Sequence, residues 1–168
     1  SPKISAVSQS MRPSAFGTFA ISTELDNQRF SIPGKDVDEQ YFSLVRQTHI
    51  LGKLFDKNDV LEKKNVMVVN DIFAKRLEPS GQVLGKKVFF RDDRVFTIIG
   101  VVKDFHIEGF NSEIRPMVLQ VSNNVWFASF KLASKDMNAT IDYIENEWNK
   151  FEPTHPFRYT FLDQKFGR

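Results

Sequence analysis

The stretch TIIGVVKDFHIEGF, residues 97–110, combines the features that decide the fold of this 168-residue chain. The β-branched apolar residues on both sides of Gly100 predict a buried strand that is covered on both faces. A glycine inside such a strand indicates a bulge or the close approach of another backbone segment. Lys103, Asp104 and His106 then arrive within four positions, so the strand is expected to leave the core at a polar cluster.

The polar cluster of Lys103, Asp104 and His106 has two interpretations. In the first, its side chains hydrogen-bond to nearby backbone where the strand ends and fix the loop that follows. In the second, the loop contacts another subunit or a partner, because polar loops carried on a rigid strand are a common form of interface. The sequence favours the structural role and leaves the interface open.

A strand, a helix and a hairpin surround this stretch. The apolar run at 66–69 predicts a second strand covered on both faces. Asn70 is placed to cap a helix that ends near Leu77, before Pro79 and Gly81. Asp92 and Asp93 suit a tight turn, so the flanking segments 86–90 and 94–102 predict an antiparallel hairpin.

The first part of the chain is predicted to hold short strands and one short helix. Pro33 and Gly34 predict a break. After it, Asp38 is placed to cap a helix that carries Tyr41 and Phe42 on one side. The short strands are expected at residues 4–8, 18–22 and 47–51.

The last part of the chain predicts a strand, a long amphipathic helix and a final strand. Alternating residues at 124–132 and at 157–161 are typical of strands. The helix is expected at 134–151 and ends before Pro153. Its apolar stripe, at spacings of four and three, is predicted to pack in the core and consists of Met137, Ile141, Ile144, Trp148 and Phe151.

The order of strands and helices predicts an α+β fold, and the length predicts a single domain, 1–168, of one or two subdomains. The apolar fraction of 41% and the charged fraction of 26% are ordinary for soluble domains. The 23 basic and 21 acidic residues are well mixed, so a nucleic-acid surface is not expected. The chain contains no cysteine, which excludes disulfides, thiol catalysis and zinc–cysteine sites.

The residues alone name no reaction. Asp104 and His106 are two ligand types at one strand end, but the remaining histidines lie in other elements, so no metal site is expected. The segment GQVLGKK at 81–87 has the wrong spacing for a phosphate-binding loop and leads into a strand. There is no GxSxG elbow for a serine nucleophile. We therefore expect no catalytic residue, no cofactor and no enzymatic activity.

Taken in order, several segments resemble the MacB-like periplasmic core domain of FtsX-like ABC transporter permeases. The segments are ISAVS, VMVVNDIFAKRL, VLGKKVFF, FTIIGVVKDFH, IRPMVLQV and IDYIENEWNKFEPTHPFRYTFLD. Tyr41 and Phe42, followed by Gly52, Lys53 and Phe55, match a further family pattern. Lys53 stands where that pattern has arginine, which keeps the charge but loses the bidentate fork.

The resemblance implies a porter-like α/β part with packed helices and an inserted, mostly β part. It implies a periplasmic domain anchored by flanking membrane helices of its own chain, absent from these 168 residues. The implied partners are those helices, a separate cytoplasmic ATPase and a second permease copy. The implied function is non-catalytic: the domain relays ATP-driven conformational change across the membrane to export or release a substrate.

Such a relay requires stiff bodies that move on a few hinge residues. The expected hinges are Pro33 with Gly34, and the loop that begins at Gly109. A chain that rises from the membrane and returns to it is also expected to bring residues near Ser1 and Arg168 together at one base. Two alternatives remain open: a module that binds a peptide or lipid in an apolar groove, and a hydrolase with a spatially assembled site.

Overall fold

The computed structural model describes residues 4–11, 17–23, 29–62, 64–90, 92–106, 113–122, 126–133 and 136–161. Within these residues the chain forms nine strands and four helices. The strands are β1 (Ile4–Ser10), β2 (Gly17–Thr23), β3 (Arg29–Val37), β4 (His49–Gly52), β5 (Val66–Asn70), β6 (Lys87–Phe90), β7 (Val95–Val102), β8 (Val118–Val121) and β9 (Phe127–Leu132). The helices are α1 (Tyr41–Leu44), α2 (Lys57–Leu61), α3 (Asp71–Leu77) and α4 (Met137–Phe151).

Six strands pair in a closed ring. β2 pairs antiparallel with β6, and β6 antiparallel with β7. β7 runs parallel to β5, which is antiparallel to β8. β8 is parallel to β3, and β3 returns antiparallel to β2. Each of the six strands therefore has a neighbour on both sides, and the mixed sheet closes on itself in the manner of a small barrel.

The interior of the ring is apolar. One cluster of buried side chains takes residues from all six ring strands and from α3. Because side chains alternate between the faces of a strand, the residues between them point outward. Met67 and Val69 thus join the interior cluster, while Val68 lies in a second cluster outside the ring. The other members of that outer cluster include Tyr41 and Phe42 of α1, which covers this face.

β1 and β9 form a wing beside the ring. β1 pairs along most of its length with β9, and with β3 only at its end, where Ser10 is opposite Val37. Much of the apolar surface of this wing and of α4 is open. Phe151 is 85% exposed and Trp126 is 76% exposed, and the other exposed apolar side chains of the wing and of α4 are Val7, Phe127, Phe130, Met137, Tyr143 and Trp148.

The predicted α+β class with a mixed sheet and packed helices is confirmed. The predicted hairpin of β6 and β7 is also confirmed, with Asp93 in the left-handed conformation at its turn. Asn70 caps α3 as expected, since its Oδ1 accepts a hydrogen bond from the Phe73 N–H at 3.3 Å. Local residue types specify these elements, which is why they were predictable from sequence.

The prediction that the stripe of α4 packs in the core is wrong. Thr140 is the buried residue of α4 within the described part of the chain, whereas Met137, Trp148 and Phe151 are exposed and Ile141 and Ile144 are only half-buried. Hydrophobic periodicity identifies the apolar face of a helix, but it does not identify what covers that face. The final strand predicted at 157–161 is also wrong, because these residues have no regular secondary structure.

The predicted break at Pro33 and Gly34 is wrong as well. Both residues lie inside β3, where Pro33 is opposite Thr18 of β2 and Gly34 is opposite both Gly17 and Val118. A proline is tolerated here because β8 pairs with β3 only from Gly34 onward.

An aromatic ring accounts for the glycine at position 34. A side chain at this position would collide with the ring of Phe19, so glycine leaves the space that this ring occupies. The pair that resembles a turn in the sequence is thus part of a paired strand.

The predicted cap of α1 is wrong, because Gln40 rather than Asp38 precedes its first turn. Asp38 instead joins the loop to β1: its carboxylate accepts hydrogen bonds from Ser8 Oγ at 2.7 Å and from the Gln9 N–H at 2.5 Å. The sequence also missed α2, which begins at a capping box formed by Asp56 and Asp59.

Candidate functional site

The end of β7 is fixed by hydrogen bonds to two neighbouring segments. The Lys103 N–H donates to the Thr48 carbonyl at 2.9 Å, and Gln47 Nε2 donates to the Lys103 carbonyl at 2.5 Å. Asp104 Oδ1 accepts from the Ile72 N–H at 3.0 Å, in the first turn of α3. A carboxylate at a helix N-terminus satisfies an N–H that has no partner within the helix. The exit of β7 therefore tethers the start of α3.

The three residues of the polar cluster point to different surroundings. Lys103 and His106 are exposed, whereas Asp104 is half-buried against α3. The aromatic ring of Phe105 between them packs against the outer apolar cluster. This geometry favours the structural interpretation for Asp104, and a partner contact through Lys103 or His106 stays a prediction.

Gly100 accommodates the close approach of another backbone segment, as the sequence predicted. A side chain at this position would collide with the Lys53 carbonyl, and the Lys53 N–H donates to the neighbouring Ile99 carbonyl at 2.9 Å. The register between β5 and β7 also shifts here, because Val68 is opposite Gly100 and not Ile99. The glycine therefore marks both a bulge and a backbone contact.

Of the expected hinge residues, Pro33 and Gly34 lie in β3, and Gly109 lies outside the described residues. A hinge at Pro33 and Gly34 would have to bend a strand of the closed ring, so the geometry does not favour it. The loop that begins at Gly109 stays a prediction. The expected meeting of Ser1 and Arg168 also concerns residues outside the described part.

Lys53 holds two carboxylates although it lacks the fork of an arginine. Its Nζ lies 2.8 Å from Asp56 Oδ2 and 2.9 Å from Asp59 Oδ2. Asp59 is buried and also lies 3.6 Å from Lys64 Nζ. Hydrogen bonds from Asp56 and Asp59 raise the pKa of Lys53 above its usual value. Lys53 thus anchors α2 next to the outer apolar cluster.

A second polar group lies at the opposite end of β7, and sequence reasoning missed it. Asp36 of β3 and Gln120 of β8 are buried and adjacent in register, and Gln120 Nε2 donates to Asp36 Oδ1 at 2.5 Å. Burial raises the pKa of Asp36, while the hydrogen bond from Gln120 and the positive charge of Arg94 act in the opposite direction. Because a break was expected at Pro33 and Gly34, the inward position of Asp36 was not predicted. Asp36 points into the ring only because β3 continues through these two residues.

A cavity of about 230 Å³ opens beside this buried pair. It lies where β5 and β7 begin and β8 ends. Its lining consists of Val60, Lys64, Asn65, Arg94, Phe96, Gln120, Val121 and Ser122. The cavity is therefore at one mouth of the strand ring, on the far side from the cluster of Lys103, Asp104 and His106.

Within the described residues, no group of three or more histidine, aspartate or glutamate side chains is arranged to hold a metal ion. In the same part of the chain, no helix has the length and apolar character needed to cross a membrane.

Comparisons with known proteins give one consistent family. A model of the MacB-like periplasmic core domain matches residues 1–147. A macrolide export ATP-binding/permease protein MacB from Neisseria gonorrhoeae is 40% identical over 67 residues. These residues are 40% of this chain and 10% of that protein, so the chain spans only a small part of the curated relatives that it matches.

Two solved structures share the fold. The periplasmic region of MacB from Actinobacillus actinomycetemcomitans superposes with a TM-score of 0.71 at 19% identity, over 98% of this chain and 75% of that one. The extracellular domain of the noncanonic ABC-type transporter YknZ from Gram-positive bacteria gives a TM-score of 0.67 at 17% identity, over 90% of this chain and 78% of that one.

The resemblance inferred from the sequence is confirmed by the family match, and the porter-like fold is confirmed by the two structures. The expected periplasmic location agrees with the class of domain that the family comprises. Because the family model matches residues 1–147 of 168, this chain belongs to the family of MacB-like periplasmic core domains.

Proposed function

We propose that this domain relays ATP-driven conformational change across the membrane, as the non-catalytic periplasmic part of an ABC transporter permease that exports or releases a substrate. The observation that carries the proposal is the family match over residues 1–147. It is supported by the curated relatives, whose name joins ATP binding, permease and macrolide export. The proposed partners are membrane helices of the same chain, a cytoplasmic ATPase and a second permease copy.

The strand ring supports a mechanical role. A body transmits motion applied at one side only if it deforms less than it moves. Closed pairing of six strands around a packed apolar interior provides such stiffness, because no ring strand can slide without breaking hydrogen bonds on both of its sides. We infer that the ring moves as one body and that bending occurs elsewhere, with the loop at Gly109 as the proposed hinge.

We also infer that the domain performs no catalysis. Asp104 is the acidic residue of the polar cluster, and it already accepts a hydrogen bond from the start of α3. His106 is exposed on the same segment and lies far along the chain from His49 and His155. The hydrolase alternative requires a nucleophile and an oriented base at one cavity, and the cavity described above is lined instead by two cations, two amides, a serine and apolar side chains.

Distance measurements in the intact permease test the relay. The 168 residues contain no cysteine, so single cysteines introduced here carry spin labels at defined positions. A pair at Thr18 of β2 and at Asn65, directly before β5, spans the ring, because β2 and β5 are three steps apart around it. A single label at the exposed Asn149 of α4 reports the distance between two copies.

Addition of ATP and orthovanadate to the reconstituted transporter is expected to change the Asn149 distance between copies and to leave the Thr18–Asn65 distance unchanged. A variant of the ATPase that binds ATP without hydrolysing it serves as the control for nucleotide binding alone. The relay is refuted if the Thr18–Asn65 distance changes, or if neither distance responds to nucleotide.

A further inference from the structure

Beside the cavity at the mouth of the strand ring lies a buried acceptor that has no partner among the described residues. Gln120 is only 5% exposed, and its Nε2 is engaged by Asp36. Its Oε1 is buried and has no hydrogen-bond partner among the described residues. An unsatisfied buried carbonyl oxygen is destabilising, so such atoms usually mark a place for a water or a ligand. Gln120 also lines the cavity, so this acceptor lies next to the space that a ligand would occupy.

Two cations stand at the same cavity. Arg94 uses its Nε to contact Asp92 Oδ2 at 2.8 Å, and a guanidinium carries four more N–H donors on its two Nη atoms. Lys64 Nζ lies 3.0 Å from Glu62 and 3.6 Å from Asp59. An ammonium group has three donors, and an arginine presents paired donors that match a carboxylate. The lining of the cavity therefore includes two cations that keep N–H donors beyond those used in their ion pairs.

The position of Arg94 is set by aromatic rings. Its guanidinium carbon lies 5.2 Å from the centre of the Phe90 ring and 5.4 Å from the centre of the Phe96 ring. Contacts of this kind hold a cation over the ring faces. The two rings are themselves in contact, with centres 4.7 Å apart. Arg94 is thus held beside the cavity before any ligand arrives.

The remaining lining is mainly apolar. Val60, Phe96 and Val121 contribute hydrophobic surface, and Asn65 and Ser122 contribute polar groups at the same cavity. Ligand sites commonly combine an apolar wall with a few polar groups that fix orientation. A ligand that fits this lining has a carboxylate, an N–H donor and a short apolar side chain. These three groups occur together at the carboxyl-terminal residue of a peptide.

We propose that this cavity binds the carboxyl-terminal residue of a peptide with an apolar side chain. Arg94 and Lys64 contact the carboxylate, Gln120 Oε1 accepts the N–H of the same residue, and its side chain packs against Phe96 and Val121. The proposal goes beyond the relay function and does not depend on it, since a domain that fails to transmit motion can still bind a peptide end.

Titration of the ¹⁵N-labelled 168-residue chain tests the proposal with three small probes. N-Acetylleucine carries all three groups, N-acetylleucine amide lacks the carboxylate, and hexanoate lacks the N–H. We expect N-acetylleucine to shift the amide signals of Asn65, Arg94 and Gln120, with a dissociation constant on the order of 1 mM because the ligand is small. Each of the other two probes is expected to bind at least about tenfold more weakly.

Variants separate the site from general electrostatic attraction. Arg94→Gln keeps the chain length and removes the charge, and it is expected to weaken N-acetylleucine binding about tenfold. Arg46→Gln is the matched control, because Arg46 is exposed and lies in the turn before β4, near the opposite end of β7. Gln120→Met removes the acceptor of the ligand N–H and is the second variant tested. If the methionine variant does not fold, Lys64→Gln is tested in its place.

The proposal is overturned if N-acetylleucine produces no shifts at the cavity. It is also overturned if hexanoate or N-acetylleucine amide binds as tightly as N-acetylleucine, or if Arg94→Gln and Arg46→Gln bind equally well. Binding by N-acetylleucine alone, lost in Arg94→Gln and kept in Arg46→Gln, supports it.

Discussion

Single residues in this domain are constrained mainly by groups that lie close to their backbone. Gly100 faces the Lys53 carbonyl, and Gly34 faces the ring of Phe19. The constraint at Gly100 was predictable, because a lone glycine in a strand of β-branched residues usually marks a bulge or a close backbone contact. The constraint at Gly34 was not, since the same residue type next to Pro33 is typical of turns. Only the long-range pairing of β3 distinguishes the two cases.

Gly100→Ala is expected to lower the free energy of unfolding by about 3 kcal/mol, at the upper end for overpacking, because the obstacle is a carbonyl in the backbone and not a movable side chain. Chemical denaturation of the isolated chain measures it. Gly17→Ala is the control: its added carbon would be 3.7 Å from the nearest atom, so we expect a change within about 1 kcal/mol. Equal effects in the two variants would contradict the assigned backbone contact.

Lys35 makes the folding stability of the domain depend on pH in the alkaline range. Burial lowers the pKa of Lys35 from 10.5 to about 8, and its ammonium lies 5.0 Å from the centre of the Tyr41 ring. Between these values the unfolded chain binds the proton that the folded chain has released, so folding stability rises with pH. The rise begins near pH 8 and amounts to at most roughly 3 kcal/mol.

The check is a series of denaturation curves between pH 7 and about pH 10, below the range where buried Tyr41, whose pKa is raised by burial, acts in the opposite direction. Lys35→Met is expected to remove the rise of folding stability with pH. Lys87→Met, at an exposed lysine, is expected to keep that rise. A Lys35→Met variant with an unchanged alkaline rise would show that another group is responsible.

At the scale of elements, helices and hairpins whose ends carry their own signals were predictable. Asn70 marked the start of α3, and Asp92 with Asp93 marked the hairpin of β6 and β7. β8 has only four residues and α2 only five, and their patterns are too short to distinguish from loop. The burial of α4 was not predictable, because an apolar stripe does not show which other element packs against it.

Asp104→Ala is expected to lower the free energy of unfolding by about 1 kcal/mol, because it removes the acceptor of the Ile72 N–H at the start of α3. His106→Ala serves as the comparison, and we expect a change within about 0.5 kcal/mol at this exposed position. Thermal or denaturant unfolding measures both. If Asp104→Ala leaves stability unchanged, the tether between β7 and α3 has no energetic role, and a partner contact becomes the better account of the cluster.

Phe151→Ala in α4 is expected to change the free energy of unfolding by no more than about 0.5 kcal/mol, because the ring is 85% exposed. Phe73→Ala in α3 is expected to lower it by about 3–5 kcal/mol, because this ring is fully buried in the interior cluster of the strand ring. The same denaturation experiment compares the two. A large loss in Phe151→Ala would mean that the sequence-based prediction of a buried stripe was correct after all.

At the scale of the whole molecule, the class and the resemblance were predictable, and the ring was not. The order of segments specified an α+β chain of a known family. Closure depends on pairings between distant segments, such as β2 with β6 and β3 with β8. No local pattern specifies which distant strands become neighbours. The cavity at the ring mouth was hidden for the same reason, since its residues come from α2, β7, β8 and the segments between them.

Hydrogen exchange is expected to divide the molecule into two parts. The amides of β5, β7 and β8 are paired on both sides and buried, so they should exchange only through global unfolding. Among the described residues β9 is paired on one side, with β1, and α4 is largely exposed, so the amides of both should exchange much faster. Mass spectrometry of peptic fragments measures both groups, and uniform protection across ring and wing would contradict this division.

The pairing of Ile21 with Phe90 closes the ring across much of the first half of the chain. Contacts between such distant residues form slowly, because ordering the intervening chain costs conformational entropy before the contact provides any stabilisation. Folding of this domain is therefore governed by topology, in the millisecond to second range typical of sheet proteins, and not by its short helices. Until the ring closes, β2 and β6 expose backbone groups to which a neighbouring chain can pair, so closure is also the step that protects the newly made domain from aggregation.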